Sequence, residues 1–209
     1  MSRPGAFPAL IAAGLLVLLP GCSSLLGGPA TPVAMYQPSV PVTPDPAWPE
    51  VSWSLALAPP QAPSVLDDRR LLVHTAQDEL LPYRGVTWAL PPPALLTQTV
   101  LQTLDASGRI GAVAHQDSGM AADYRLLLEL SRFQAEQDGA PAVQIDVTAR
   151  LLRMRDMRLV GSRHFALRQP AASMDAPALV NAFGQALGKL GHDIAGWALA
   201  TGQAATHEP

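Results

Sequence analysis

Between Asp123 and Arg168 the chain repeats one pattern three times, and that pattern leaves few architectures open. Leu126, Leu128 and Leu130 alternate with Arg125, Leu127, Glu129 and Ser131. Val143, Ile145, Val147, Ala149 and Leu151 alternate with Gln144, Asp146, Thr148 and Arg150. Leu159, Gly161, Arg163, Phe165 and Leu167 form the third run. A period of two places alternate side chains on opposite faces of a strand. Asp138-Gly139 and Asp156-Met157 separate the runs, and a glycine supplies the positive φ of a tight turn. Three strands joined by two short turns predict an antiparallel meander.

A meander with one apolar face needs a cover, and the sequence supplies one. Leu179, Phe183, Leu187, Leu190, Ile194 and Trp197 recur at helical spacing after Asp175 and Pro177, an acid and a proline suited to a helix entrance. Gly184, Gly188, Gly191 and Gly196 lie on the same helix. Each weakens it by up to ~1 kcal/mol relative to alanine, and close backbone approach to the sheet is the expected compensation. Upstream, Val51, Trp53, Leu55 and Leu57 alternate as a strand, while Arg69–His74 and Tyr83–Leu90 read as two more. Pro91-Pro92-Pro93 precede a helix carrying Leu96, Val100, Leu101 and Leu104 and closing at Gly108. The fold class that follows is α+β: a mixed, largely antiparallel sheet, made of a three-stranded meander plus N-terminal strands, packed against two main helices.

The 48% apolar and 15% charged content suits one such domain plus extra segments. The net charge of -3 offers no basic surface for nucleic acid, and no nucleic-acid motif accompanies the arginines. Cys22 is the single cysteine, so no intrachain disulfide can form. It follows Ala9–Leu19, an apolar run that would make a helix of roughly 16 Å, half a bilayer's hydrocarbon thickness. That is a signal-peptide core. Leu19-Pro20-Gly21-Cys22 resembles the lipobox of bacterial lipoproteins, in which the cysteine is lipidated after cleavage; Leu19, Gly21 and Cys22 match, and Pro20 departs. Seven prolines between Gly27 and Pro49 predict an extended tether. The expected organisation is a lipoprotein signal peptide over 1–21, lipidated Cys22 and tether over 22–49, the folded domain over 50–202 and a flexible tail over 203–209.

Motifs that carry chemistry are absent from the sequence. It holds no Gly-x-Ser-x-Gly elbow, His-Glu-x-x-His helix or phosphate-binding glycine loop. His74, His115, His164, His192 and His207 are scattered without metal-ligand spacing. The carboxylate pairs Asp67-Asp68 and Asp78-Glu79 are adjacent, so each splits to opposite faces if extended. The expectation is a protein with no catalytic residues, no metal and no cofactor. Tyr83 and Trp88 are the candidate partner-contact or core aromatics.

Several patches, in order, resemble the auxiliary lipoprotein component of ABC-type transport systems, the family that contains paraquat-inducible protein C. They are Asp68-Arg69, the Tyr83–Ala89 segment, the helix from Leu95 to Ser107-Gly108, Tyr124-x-Leu126-x-Leu128 before Phe133, Arg163-His164-Phe165, and Ala182, Ala186 and Trp197. The resemblance runs from Val65 to Trp197. It implies an outer-membrane lipoprotein facing the periplasm of a Gram-negative bacterium. Its implied partners are an MCE-domain periplasmic protein and inner-membrane ABC transporter subunits that move phospholipid, with several copies of the lipoprotein around the partner. Ser23 after Cys22 agrees with outer-membrane sorting as known for enteric bacteria. Two other readings remain open: an activator or chaperone of another envelope assembly machine, and a lipid carrier with its own cavity.

Overall fold

The structure is a computed structural model that describes residues 32–206; Cys22, the expected signal peptide and His207 lie outside them. Among the described residues eight strands form one mixed sheet: β1 (Ala34–Tyr36), β2 (Val51–Leu57), β3 (Arg70–His74), β4 (Leu80–Trp88), β5 (Ile110–His115), β6 (Tyr124–Glu136), β7 (Ala142–Arg153) and β8 (Arg158–Pro170). Helix α1 (Pro92–Ser107) joins β4 to β5, and α2 (Ala176–Thr206) closes the chain. The meander β6-β7-β8 is present, with Leu128 opposite Ala149 and Val147 opposite Phe165. The other edge of β6 is shared end to end. β2 pairs parallel with Tyr124–Leu126, and β3 pairs parallel with Ala135–Glu136. β5 then flanks β2, and β4 and β1 extend the sheet beyond β3.

One face of the sheet carries the core. Leu126, Leu128, Leu130 and Phe133 of β6 and Val143, Ile145, Val147 and Leu151 of β7 are buried there against Leu179, Phe183, Leu187 and Ile194 of α2. Trp88 is completely buried, edge-on to Phe133 and Phe183, whose rings stack with centroids 4.6 Å apart. At the start of α2 the Asp175 carboxylate accepts the Ala178 N–H at 2.9 Å, satisfying one orphan donor of the first turn. The Ser173 hydroxyl and that N–H together hold its carboxyl below the usual aspartate range. α1 starts on Pro92 and Pro93, whose missing N–H groups cost nothing in a first turn, and ends at Gly108 with φ +60.

Several expectations need correction. β4 begins at Leu80, three residues before Tyr83, and β5 has no counterpart among the elements read from the sequence. The helix expected to fray after residue 202 continues to Thr206: Gly202 lies against the Trp53 ring, and the Arg153 Nη1–H donates to the Ala205 carbonyl at 3.2 Å. The largest departure is the tether. From Val33 onward the proline-rich segment belongs to the folded unit. β1 pairs parallel with Val86–Trp88, and residues 37–49 then run as a strap along α2. A Cβ on Gly184 would collide with the Ser39 carbonyl oxygen, and one on Gly188 would sit 2.6 Å from that of Pro41. The glycines thus admit the strap, and Gly191 admits Thr99 of α1, where approach to the sheet was expected. The His192 ring N–H donates to Thr43 O at 2.7 Å, and Arg109 Nη2 donates to Pro46 O at 2.6 Å. Proline suits this segment because an edge strand and a strap leave many of their own N–H groups unused by any ladder.

Candidate functional site

The two aromatics singled out from the sequence occupy different environments. Trp88 is a core residue. Tyr83 is half-buried on β4, beside a bulge where Gly85 takes φ +69. The structure does not bring them together into one site. Among the described residues no three of His, Cys, Asp and Glu converge as metal ligands. His74 Nδ1 lies 3.0 Å from Glu136 Oε2, while His192 is occupied by the strap. No helix of the described residues is long and apolar enough to cross a membrane.

The face of the sheet away from the helices is polar and largely paired within itself. Arg150 meets Glu129 at 2.9 Å, Gln134 donates to Glu136 at 2.9 Å, and Gln144 donates to Asp146 at 2.9 Å. A cavity of about 380 Å³ opens there, lined by His74, Arg132, Gln134, Glu136, Gln144 and Arg168. His74 and Gln134 pair with Glu136, Arg132 and Gln144 with Asp146, and Arg168 with the Ala140 carbonyl, so these lining groups are already engaged. A larger groove of about 690 Å³ runs past the entrance of α1, walled by Leu57, Pro59, Pro60, Leu90, Pro91 and Pro93.

The third location is the end of the sheet formed by the β7–β8 turn and the C-terminus of α2. The turn reads Met154-Arg155-Asp156-Met157, followed by Arg158 and Leu159. Met157 is 59% exposed and Leu159 50% exposed. Met157 also takes φ +55, where the β6–β7 turn uses Gly139 at φ +78. A non-glycine side chain in the left-handed region costs roughly 1–2 kcal/mol. Buried Arg153 fixes the base of the turn: its guanidinium holds Asp156 at 2.7 Å and caps α2 through Ala205 O. The hydrogen bond from Arg153 is the largest cause of a lowered Asp156 carboxyl pKa, helped by the Arg158 N–H and the Arg155 charge. A crevice of about 420 Å³ adjoins the turn, lined by Trp53, Asp123, Tyr124, Arg153, Met154 and Thr206. The Trp53 indole N–H is buried with no hydrogen-bond partner. Sequence reasoning placed a turn here and gave it no role; its signal was two methionines and two arginines where turn residues are usually small or polar.

Comparison with known proteins places this geometry. Residues 35–195 match the model of a family described as ABC-type transport auxiliary lipoprotein component. A crystal structure of a Xanthomonas campestris protein superposes with a TM-score of 0.79 at 38% identity, covering 84% of this chain and all of that one. A Chlamydia trachomatis hypothetical protein shares the fold at a TM-score of 0.53 and 12% identity, covering 75% of this chain and 100% of its own. An uncharacterised protein of Bradyrhizobium diazoefficiens is 26% identical over 182 residues, covering 86% of this chain, and the chain spans about half the length of that relative. The family match begins at Met35, inside the strand that precedes the strap.

Proposed function

Because the chain belongs to the ABC-type transport auxiliary lipoprotein component family, we propose that it is the outer-membrane accessory lipoprotein of an MCE-type ABC system that moves phospholipid across the periplasm. The family match over residues 35–195 carries this reading. In it Cys22 bears the lipid, Ser23 directs sorting to the outer membrane, and the folded unit from Val33 docks the transporter's periplasmic subunit without chemistry of its own. Several copies gather around one partner, since confinement to one membrane raises their effective concentration. A rigid α+β unit supports such a role: the sheet holds its surface in fixed geometry, and a preorganised surface loses little entropy on binding.

The test is affinity capture of the full-length lipoprotein from crosslinked envelopes. Recovery of the MCE-domain protein and inner-membrane transporter subunits is expected. Recovery of only peptidoglycan synthases or secretin subunits would transfer the protein to another envelope machine.

A further inference from the structure

The geometry points to the β7–β8 turn as the docking end of the molecule, taking an apolar, acidic segment of the transporter's periplasmic subunit. This rests on the transporter reading above and names the surface through which it works.

Three observations converge there. The first is composition. The described residues expose seven large hydrophobic side chains; Met157 on the turn and Leu159 just inside β8 are two of them, while Met35, Leu80 and Leu81 lie on the β1–β4 edge. Methionine and arginine are enriched in the cores of protein interfaces, and this turn offers Met154, Met157, Arg155 and Arg158. Methionine also adapts its shape to a partner without a fixed rotamer.

The second is charge. The opposite end of the sheet, at the β3–β4 and β6–β7 turns, carries exposed Asp78, Glu79 and Asp138. At the β7–β8 end Asp156 is bound by Arg153 and Asp123 accepts from Ser54, while Arg155 is exposed on the turn. An acidic partner is attracted to one end and repelled from the other, which fixes orientation as well as encounter rate. The third is direction. β1 pairs parallel with β4, which is antiparallel to β3, and β3 is parallel to β6; β1 therefore runs in the direction of β7. The polypeptide thus enters the domain travelling toward the β7–β8 turn. With the lipid attached upstream, that turn is the end the incoming chain points toward.

The experiment measures binding of the purified periplasmic region of the MCE-domain subunit to the full-length lipoprotein in detergent. Met157→Ser with Leu159→Ser is expected to raise Kd about tenfold or more, as for a truncated interface anchor. Arg155→Glu should weaken binding and flatten its salt dependence. Met157→Gly should weaken binding with a melting temperature no lower than the parent's, since glycine accepts the positive φ. Met35→Ser with Leu81→Ser, on the β1–β4 edge, should leave Kd within about twofold. An unchanged Kd in the turn variants, with the parent still binding, overturns the docking end and leaves the transporter reading intact; a parent that does not bind removes both. In phosphatidylethanolamine–phosphatidylglycerol vesicles, a fluorophore placed through Met157→Cys should escape quenching by brominated lipid. Quenching would assign the turn to the membrane, and a change of sedimenting mass in Leu159→Asp would assign it to a second copy. Either result overturns the proposal.

Discussion

Replacing Gly184 and Gly188 of α2 by alanine sets two physical effects against each other. Helix propensity alone favours the double variant by about 2 kcal/mol, since each Gly→Ala change in a helix interior gains up to ~1 kcal/mol. The strap opposes it. A Cβ at position 184 meets the Ser39 carbonyl oxygen, and one at 188 comes within 2.6 Å of Pro41 O and 2.8 Å of the Pro41 ring. Backbone cannot swing aside as a flexible side chain can, so each collision costs about 1–3 kcal/mol. The balance is a loss of about 2 kcal/mol, or a fall in melting temperature of roughly 4–8 °C for a domain of this size. If the strap lifts instead, it regains chain entropy of ~1–2 kcal/mol per freed residue, which limits the loss and shifts the signal to hydrogen exchange. Peptides spanning residues 37–48 should then lose protection, including the Trp48 N–H bonded to Asp45 O at 3.1 Å. Exchange within β6 and β7 should stay as in the parent. A higher melting temperature with a protected strap would refute the reasoning, because it would mean that the glycines are merely weak helix formers.

Two further outcomes follow from the core and the turn. Leu187 is fully buried, so Leu187→Asp should prevent folding by burying an unpaired charge; Trp197 is half-buried, edge-on to Phe165 at 6.1 Å, so Trp197→Ala should cost only about 1–2 kcal/mol in denaturant titration. The lowered Asp156 pKa contributes stability that is complete above the unfolded value near ~3.9 and is lost as pH falls through the folded one; the acid limb of the melting curve should therefore be shallower in Asp156→Asn, and an identical limb would count against the Arg153 contact.

The parts of this fold that were legible from sequence are those in which local pattern and tertiary environment agree. The meander was readable because its strands are long, alternate cleanly and are joined by short turns. The stripe on α2 was readable for the same reason, although Trp197 sits at its margin. β5 escaped because Ile110–His115 is short, only partly buried and interrupted by Gly111, whose absent Cβ lets the Ser52 carbonyl approach. The strap escaped for a different reason. Its prolines describe an extended chain correctly, but whether an extended chain is free or docked depends on glycines about 150 residues later in the sequence. The sharing of one β6 edge between β2 and β3 is likewise a long-range fact with no local signature. At the β7–β8 turn the residues were visible, but their exposure and the positive φ of Met157 were not.

The central claim, an accessory lipoprotein working between two membranes, is tested most directly by phospholipid exchange. Pulse-labelled phospholipid would be followed between inner and outer membranes in cells lacking the gene, and after return of the parent or of Cys22→Ala. The account predicts slowed exchange in the deletion, restoration by the parent and no restoration by Cys22→Ala, which should appear in the soluble periplasmic fraction. Exchange that proceeds at the parental rate without the gene would contradict it.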